Sequence, residues 1–148
     1  MIDVVKILHL RASPFVGGPE RQILRDASFD FGEGVQQILG SFVDEKEGHD
    51  LLREAASQKI QTAAFSGQTL AAFREVRSFL KKEEISLICT HGYKADILGL
   101  VAGRIEGIPV ASFLRGWTAQ DWKVRAYERF DRMLLPLAAA IVGLSESQ

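Results

Sequence analysis

The chain has 148 residues, with 18 Lys and Arg against 19 Asp and Glu, so its formal net charge is -1. Hydrophobic residues make up 47% and charged residues 25%, the composition of one globular domain covering residues 1–148. A chain this close to neutral lacks the basic excess that neutralises a run of phosphates, which argues against nucleic acid as a main partner. The single cysteine, Cys89, cannot form an internal disulfide, which favours a reducing compartment.

The sequence carries no recognisable export or membrane-spanning signal. Asp3 interrupts the first apolar residues, where a signal peptide needs a basic start and a long apolar run. The longest uncharged apolar run, 133–144, is well short of the roughly 20 residues that cross a bilayer. We expect a cytoplasmic protein. Aromatic and arginine side chains in 122–132 leave open peripheral association with the inner face of the membrane.

Six short apolar runs alternate with segments of helical periodicity, the pattern of parallel strands joined by helical crossovers. The predicted strands are 4–10, 36–43, 61–65, 86–90, 110–114 and 139–143. Runs that are apolar throughout indicate a sheet covered on both faces. The sequence thus predicts an α/β, Rossmann-like, doubly wound and mostly parallel sheet of order 3-2-1-4-5-6. Ligands should gather where strands one and four end, near 12–20 and 90–95.

Between the strands, apolar residues recur at helical spacing, and each such stripe predicts a helix with one buried face. The stripes are Ile23, Leu24, Ala27 and Phe31; Leu70, Phe73, Val76 and Leu80; Leu98, Val101, Ala102 and Ile105; and Trp122, Ala126, Phe130, Leu134 and Leu137. The charged segment 44–48 is predicted to be a loop.

The segment 13–21 follows the first strand and opens a helix. Gly17 and Gly18 let the backbone approach a ligand closely, and the amides at the helix start favour an anion such as a phosphate. The segment matches neither G-x-G-x-x-G nor a P-loop, which disfavours a nicotinamide dinucleotide or a standard NTPase site. A glycine turn that merely joins strand to helix would explain the same residues.

The segment 90–96 follows the fourth strand. His91, Tyr93, Lys94 and Asp96 can hydrogen-bond sugar hydroxyls or assist proton transfer. Asp96 equally suits the positive end of a helix.

Two further candidates follow the last two strands. Arg115 could pair with a phosphate, and Trp117 could stack on a sugar ring, although an exposed tryptophan more often packs on a partner. Ser145 and Glu146 would face the same cleft. The histidines show no metal-ligand spacing and Cys89 has no Cys-x-x-Cys partner, so no metal is expected.

These motifs stand together in one order, over 6–10, 17–21, 90–99, 115–118, 127–132 and 142–146. The order resembles the N-terminal domain of family-4, GT-B-fold retaining glycosyltransferases over essentially the whole chain. The resemblance implies two Rossmann-like domains facing a cleft and a hexosyltransferase type of reaction without a metal ion. The donor would be a nucleotide sugar, and the acceptor a glycan or lipid-linked molecule of cell-envelope polysaccharide biosynthesis.

The resemblance also assigns expected roles to particular residues, none of them catalytic. The donor diphosphate would bind Gly17 and Gly18, the acceptor would bind His91, Tyr93, Lys94 and Asp96, and Ser145 and Glu146 would line the cleft. The chemistry of their own side chains adds Arg115 to the diphosphate site and Trp117 to the acceptor site.

The sequence departs from the family pattern in three places. Arg115-Gly116 stands where the family usually has His-Gly, and an arginine can hold a phosphate but cannot act as a base. Of the family's Pro-Asp-x-x-His-x-His, only His91 is retained. The sequence stops at Gln148, before the second domain with its E-x7-E motif. We therefore expect a truncated chain without the C-terminal donor-binding domain, with little or no transfer activity alone.

Two other functions fit the same residues. A stand-alone binding module would hold a nucleotide or sugar phosphate through Gly17, Gly18 and Arg115 without chemistry. An interaction domain would pack Trp117 and Trp122 on a partner, or self-associate through the surface that a missing domain leaves bare.

Overall fold

The computed structural model describes residues 4–44, 49–114 and 140–143. In these residues six strands form one sheet of order β3-β2-β1-β4-β5-β6, and every neighbouring pair is parallel. The strands are β1 Val5–Arg11, β2 Val35–Val43, β3 Gln61–Ser66, β4 Leu87–His91, β5 Val110–Leu114 and β6 Ala140–Gly143. The predicted fold class and strand order are confirmed, because each strand lies within one residue of its predicted bounds at either end.

Helices cover both faces of the sheet. They are α1 Gly18–Ala27, α2 Asp50–Ser57, α3 Thr69–Lys82 and α4 Tyr93–Glu106. Neighbouring β2 residues show the two layers, since successive side chains of a strand point to opposite faces. Ile38 packs in the cluster that buries α3 and α4, whereas Leu39 packs in the cluster that buries α1 and α2. This double covering explains why successive strand residues such as Ile38 and Leu39 are both apolar and buried.

Three predicted helical stripes are correct in part. Ile23, Leu24 and Ala27 are buried, but α1 ends at Ala27 and Phe31 lies beyond it, 57% exposed. In α3 the buried face is Ala72, Val76 and Leu80, whereas Leu70 is 64% exposed. In α4, Leu98 and Ala102 are buried and Ile105 is 53% exposed. The predicted burial of Phe31, Leu70 and Ile105 was wrong, because the apolar periodicity of the sequence continues beyond the helical residues that contact the sheet.

Helix α2 was not predicted, because its eight residues bury only Leu51 and Ala55, too few to form a stripe. The predicted helix over 122–137 and the residues 45–48 of the predicted loop lie outside the described residues. Within the described part of the chain, no helix has both the length and the apolar character needed to cross a membrane.

Two glycines let helix α4 pack closely on the sheet. A Cβ at Gly99 would come within 2.4 Å of Thr90 Cγ2. A Cβ at Gly103 would come within 2.6 Å of Val110 Cγ2 and 2.9 Å of the carbonyl oxygen of Ile108. Glycine at these two positions therefore sets the distance between α4 and strands β4 and β5.

Replacing Gly103 by alanine should destabilise the fold. Alanine is the better helix former by about 1 kcal/mol, but its methyl group would overlap a backbone oxygen that cannot rotate away, and overpacking typically costs about 1–3 kcal/mol. We expect Gly103→Ala to lower the free energy of unfolding, measured by urea denaturation followed by circular dichroism. Gly18→Ala is the control, because no atom lies within 4 Å of its added Cβ. A Gly103→Ala chain as stable as the parent would contradict the close packing.

Candidate functional site

The carboxyl ends of β1 and β4 lie side by side, with Arg11 paired in register to His91. The glycine segment that opens α1 follows β1, and Gly92 follows β4. Since α1 and α4 pack on opposite faces of the sheet, the chain leaves these two strands in opposite directions. This is the topological switch point, where ligands of open parallel sheets bind. We call Arg11, Gly17, Glu20, His91 and Gly92 the switch-point cluster.

An ion pair connects the two halves of the switch-point cluster. Arg11 Nη2 donates to Glu20 Oε2 at 2.9 Å, and Arg11 Nη1 donates to the carbonyl oxygen of His91 at 3.2 Å. The side chain of Glu20 is 1% exposed and that of Arg11 is 19% exposed. A carboxylate this deeply buried is stable only when it is paired and hydrogen-bonded. The pair therefore fixes the start of α1 relative to the end of β4.

One amide of the glycine segment already forms a hydrogen bond with this ion pair. The amide of Gly17 donates to Glu20 Oε1 at 3.0 Å, so this N–H is used within the protein. Pro19 contributes no N–H, and the amides of Gly18 and Glu20 are the other donors of the first turn of α1. No atom lies within 4 Å of a Cβ placed on Gly18. Space for a ligand is therefore beside Gly18, while Gly17 shapes the turn.

Gly92 makes room for Arg11. Its φ is +99°, a conformation that residues with a side chain rarely adopt. A Cβ there would lie 2.8 Å from Arg11 Nη1. Both the backbone conformation and the guanidinium thus require glycine at this position.

His91 lies at the predicted edge, but its side chain is inside the protein. Residue His91 is 1% exposed. Its ring stacks on Phe113 with centroids 4.6 Å apart, and its Nε2 lies 3.2 Å from Nδ1 of His9. His91 therefore belongs to a buried polar group that continues under α1.

Three further predicted residues lie in α4 and face different neighbours. Asp96 is 1% exposed, and its Oδ1 accepts hydrogen bonds from Thr90 Oγ1 and, at 2.7 Å, from Ser112 Oγ. The carboxylate therefore ties α4 to β4 and β5, in the first helical turn that the macrodipole favours. Tyr93 is partly exposed at the start of the helix.

Lys94 points toward the ends of β2 and β3 instead. Its Nζ donates to the carbonyl oxygen of Gly67 at 2.9 Å and lies 4.8 Å from the ring centroid of Phe42. Burial lowers the pKa of Lys94 from its ordinary value of 10.5. The structure thus brings Gly17, Gly18 and His91 together, and places Lys94 at a different part of the same edge.

The other predicted site residues lie outside the described part of the chain; they are Arg115, Trp117, Ser145 and Glu146. Sequence reasoning missed Arg11 and Glu20. A local signal existed for Glu20, because a glutamate three residues after an N-cap is the capping-box position. For Arg11 the signal was its position, because a charged residue at the carboxyl end of a buried strand is a candidate for the ligand-binding edge of the sheet.

A second histidine extends this edge to β2. The amide of Leu52 donates to Nδ1 of His49 at 3.2 Å, so the proton of the neutral ring is on Nε2, 3.0 Å from Ser41 Oγ. Ser41 Oγ in turn donates to the carbonyl oxygen of Arg11 at 2.6 Å. Burial lowers the pKa of His49 from 6.5 and outweighs a hydrogen bond with the Phe42 backbone and the charge of Asp50, which both raise it. His49 thus caps α2 in its neutral form.

A family match and several solved structures relate this chain to known proteins. Residues 46–148 match the family described as Glycosyl transferase 4-like domain. The chain belongs to this family. A comparison with curated proteins finds no match. The resemblance to family-4, GT-B-fold glycosyltransferases that the sequence motifs indicate is confirmed.

Several solved structures share the fold. HepE from Anabaena in complex with UDP is 22% identical with a TM-score of 0.76, over 93% of this chain and 37% of that one. MurG from Acinetobacter baumannii is 17% identical with a TM-score of 0.71, over 94% and 41%. A UDP-N-acetylglucosamine 2-epimerase from Rickettsia bellii is 14% identical with a TM-score of 0.66, over 97% and 40%. This chain therefore spans about two fifths of the length of each of these proteins.

Removing the charge of Glu20 should destabilise the domain strongly. Glu20→Gln keeps the shape but leaves Arg11 without its counter-ion, and breaking a buried pair from one side costs about 3 kcal/mol or more. The free energy of unfolding from urea denaturation measures this. Asp50→Asn is the matched control, since the Asp50–Arg53 pair has side chains 67% and 76% exposed, and such pairs contribute at most about 1 kcal/mol. Equal losses in the two variants would contradict the structural role of the buried pair.

The lowered pKa of His49 should make stability fall in mild acid. The unfolded chain binds a proton near pH 6.5 and the folded chain only at lower pH, so the free energy of unfolding decreases as pH falls from 6.5 through the lowered pKa. Asparagine also caps helices, so His49→Asn should flatten this dependence. Urea denaturation at pH 8 and pH 5 compares the two chains. The same loss of stability in both would show that His49 is not responsible.

Proposed function

We propose that this domain forms the acceptor side of a retaining glycosyltransferase of the hexosyltransferase type. The enzyme would transfer a sugar from a nucleotide sugar to a glycan or lipid-linked acceptor. The observation that carries the proposal is the switch-point cluster, in which Arg11 joins the glycine segment after β1 to the end of β4. Membership of the glycosyltransferase family supports sugar transfer as the chemistry.

We propose that the donor and the acceptor bind at different strand ends. The first turn of α1 has open space beside Gly18, and helix N-termini favour the negative charge of a diphosphate. HepE, which shares the fold, was crystallised with UDP, with UDP-glucose, and with UDP and glucose. In our proposal the diphosphate lies at Gly17 and Gly18 and the acceptor lies on the side of His91 and Tyr93.

Other predicted residues complete this proposal. Arg115 would add positive charge to the diphosphate side, so the leaving group needs no metal ion. Trp117 would stack on the acceptor sugar, and Ser145 and Glu146 would line the cleft. Lys94 and Asp96 would act indirectly, because both bind groups within the domain.

We further propose that most donor contacts come from a second Rossmann-like domain, and that the 148 residues alone do not transfer sugar. The support is that the chain spans 37% of the HepE structures. Stabilising a leaving diphosphate needs groups preorganised on both sides of it. The setting we propose is cell-envelope polysaccharide synthesis at the inner face of the membrane, with a self-association surface where the second domain would pack.

Binding of UDP to the isolated chain tests the placement of the diphosphate. We expect a Kd above about 1 mM, or about 4 kcal/mol of binding free energy, because one wall of the cleft offers few contacts. NMR amide shifts of the labelled chain should change at Gly17, Gly18 and Glu20, and radiolabelled nucleotide sugars should give no transfer product. A Kd near 1 μM would instead favour the stand-alone binding module.

Two variants make this test specific. Gly18→Asp places a negative charge where the diphosphate would lie and should abolish the shifts. Gly67→Asp places the same charge at the carboxyl end of β3 and should leave them unchanged. Shifts confined to the groove between α1 and α2, which Arg21 and Arg25 line, would show that the anion binds elsewhere and would contradict the proposal.

A further inference from the structure

Phe15 is an exposed aromatic side chain just before the glycine pair that opens α1. Residue Phe15 is 60% exposed. Its ring carbons Cε2 and Cδ2 lie 3.4 and 3.8 Å from the position that a Cβ on Gly17 would take. Gly18 is the next residue along the chain, and consecutive Cα atoms lie about 3.8 Å apart. The ring is therefore beside the turn where we place the diphosphate.

The backbone on either side of Phe15 is held in place by the rest of the domain. The carbonyl oxygen of Pro14 accepts hydrogen bonds from the first two amides of α2, at 2.8 and 3.3 Å. Ser13 is buried, and Val16 packs against the core cluster beneath α1 and α2. An anchored loop therefore holds the aromatic ring in solvent.

The position of Phe15 distinguishes it from the other exposed phenylalanines. Phe29 and Phe31 contact each other, with ring centroids 4.7 Å apart. Among the residues that the structure describes, no aromatic ring or cation stacks on Phe15. Single exposed apolar residues are common on protein surfaces, so exposure alone assigns it no role. Phe15, however, lies at the carboxyl edge of the sheet, where ligands bind, and next to the open space beside Gly18.

A sugar ring has the chemistry that suits an aromatic side chain in this place. The face of an aromatic ring carries partial negative charge, whereas the C–H groups on one face of a pyranose carry partial positive charge. A stacked pyranose keeps its hydroxyl groups at its rim, where they can bind water or polar groups. In a nucleotide sugar the transferred ring is bonded to the diphosphate, so a diphosphate at Gly18 brings that ring within reach of Phe15.

We propose that Phe15 is a stacking platform for a pyranose ring at the start of α1. The class of ligand rests on the proposed function, whereas Phe15 itself belongs to none of the motifs that carry that function. Two ligands of the proposed reaction contain a pyranose, the nucleotide-sugar donor and the glycan acceptor. Stacking needs only the ring that both share, and binding measurements with one ligand of each kind distinguish the two sources.

Saturation-transfer difference NMR on the 148-residue chain identifies the ligand protons that touch the protein, and it detects millimolar binding. The ligands are UDP-glucose, UDP, and maltotriose, which is a glucan without phosphate. We expect saturation of pyranose protons in UDP-glucose, in maltotriose or in both. Saturation in UDP-glucose identifies the donor ring as the stacked ring, and saturation in maltotriose identifies the acceptor ring. Saturation restricted to the uridine protons would contradict the platform.

Phe15→Leu removes the aromatic face and keeps an apolar side chain. We expect it to raise the Kd of the pyranose ligand about threefold to tenfold, the range for one aromatic contact, whereas Phe15→Tyr should keep the Kd of the parent chain. Phe29→Leu is the matched control. Residue Phe29 is 61% exposed and lies past the other end of the ten-residue α1, about 15 Å away along the helix axis, so this variant should leave the Kd unchanged.

Both leucine variants should fold, because substitutions of exposed side chains rarely change stability by more than about 0.5 kcal/mol. Circular dichroism checks this. The parent chain provides a readout that needs no variant, since the platform predicts nuclear Overhauser effects between the Phe15 ring protons and the pyranose protons. Their absence from a saturated complex would contradict the platform.

Three other results would overturn the platform: no saturation of any pyranose proton, the same Kd for the parent chain and Phe15→Leu, or an equal rise of Kd in Phe15→Leu and Phe29→Leu. Failure of the proposed function looks different. If UDP shifts the amides of Gly17, Gly18 and Glu20 while Phe15→Leu has no effect, the diphosphate placement holds and the platform is wrong. If maltotriose binds through Phe15 while UDP shifts none of these amides, the platform holds and the diphosphate placement is wrong.

Discussion

The buried ion pair between Arg11 and Glu20 is the interaction on which the candidate site depends. A carboxylate removed from water needs compensation at both oxygens, and Glu20 obtains it from the Arg11 guanidinium and the Gly17 amide. Arg11 also binds the carbonyl oxygen of His91. One charge pair therefore fixes the glycine segment, the end of β1 and the end of β4 together, which places Gly18 and His91 at a common edge.

Glycine provides the space that this arrangement needs. Gly92 turns the chain after β4 with a positive φ and leaves room for the Arg11 guanidinium. Gly99 and Gly103 let α4 approach the sheet, so that Asp96 reaches Thr90 and Ser112. The polar groups at the carboxyl ends of the strands are largely satisfied by one another. They form a preorganised wall whose hydrogen-bonding groups are already oriented before any ligand binds.

Proteins with different named activities share the fold of this chain. Glycosyltransferases and a UDP-N-acetylglucosamine 2-epimerase share this fold with the chain at 14–22% identity. Fold alone therefore leaves the reaction open. Membership of the glycosyltransferase 4-like family supports our proposal of sugar transfer, and the division of the switch-point cluster into a donor side and an acceptor side is part of that proposal.

The sequence by itself determined the strands and the family, because apolar runs and the spacing of motifs can be read along the chain. The strand order followed from the usual topology and crossover handedness of doubly wound sheets. It also located Gly17, Gly18 and His91 at one edge, since parallel strands end on the same side of a sheet. It missed α2, which buries too few residues to show a period. Tertiary structure alone decided that Arg11 meets Glu20 and that His9 lies between Gln37 and His91. These partners are 9 to 82 residues apart in the chain, and strand register with side-chain packing, rather than any local pattern, brings them into contact.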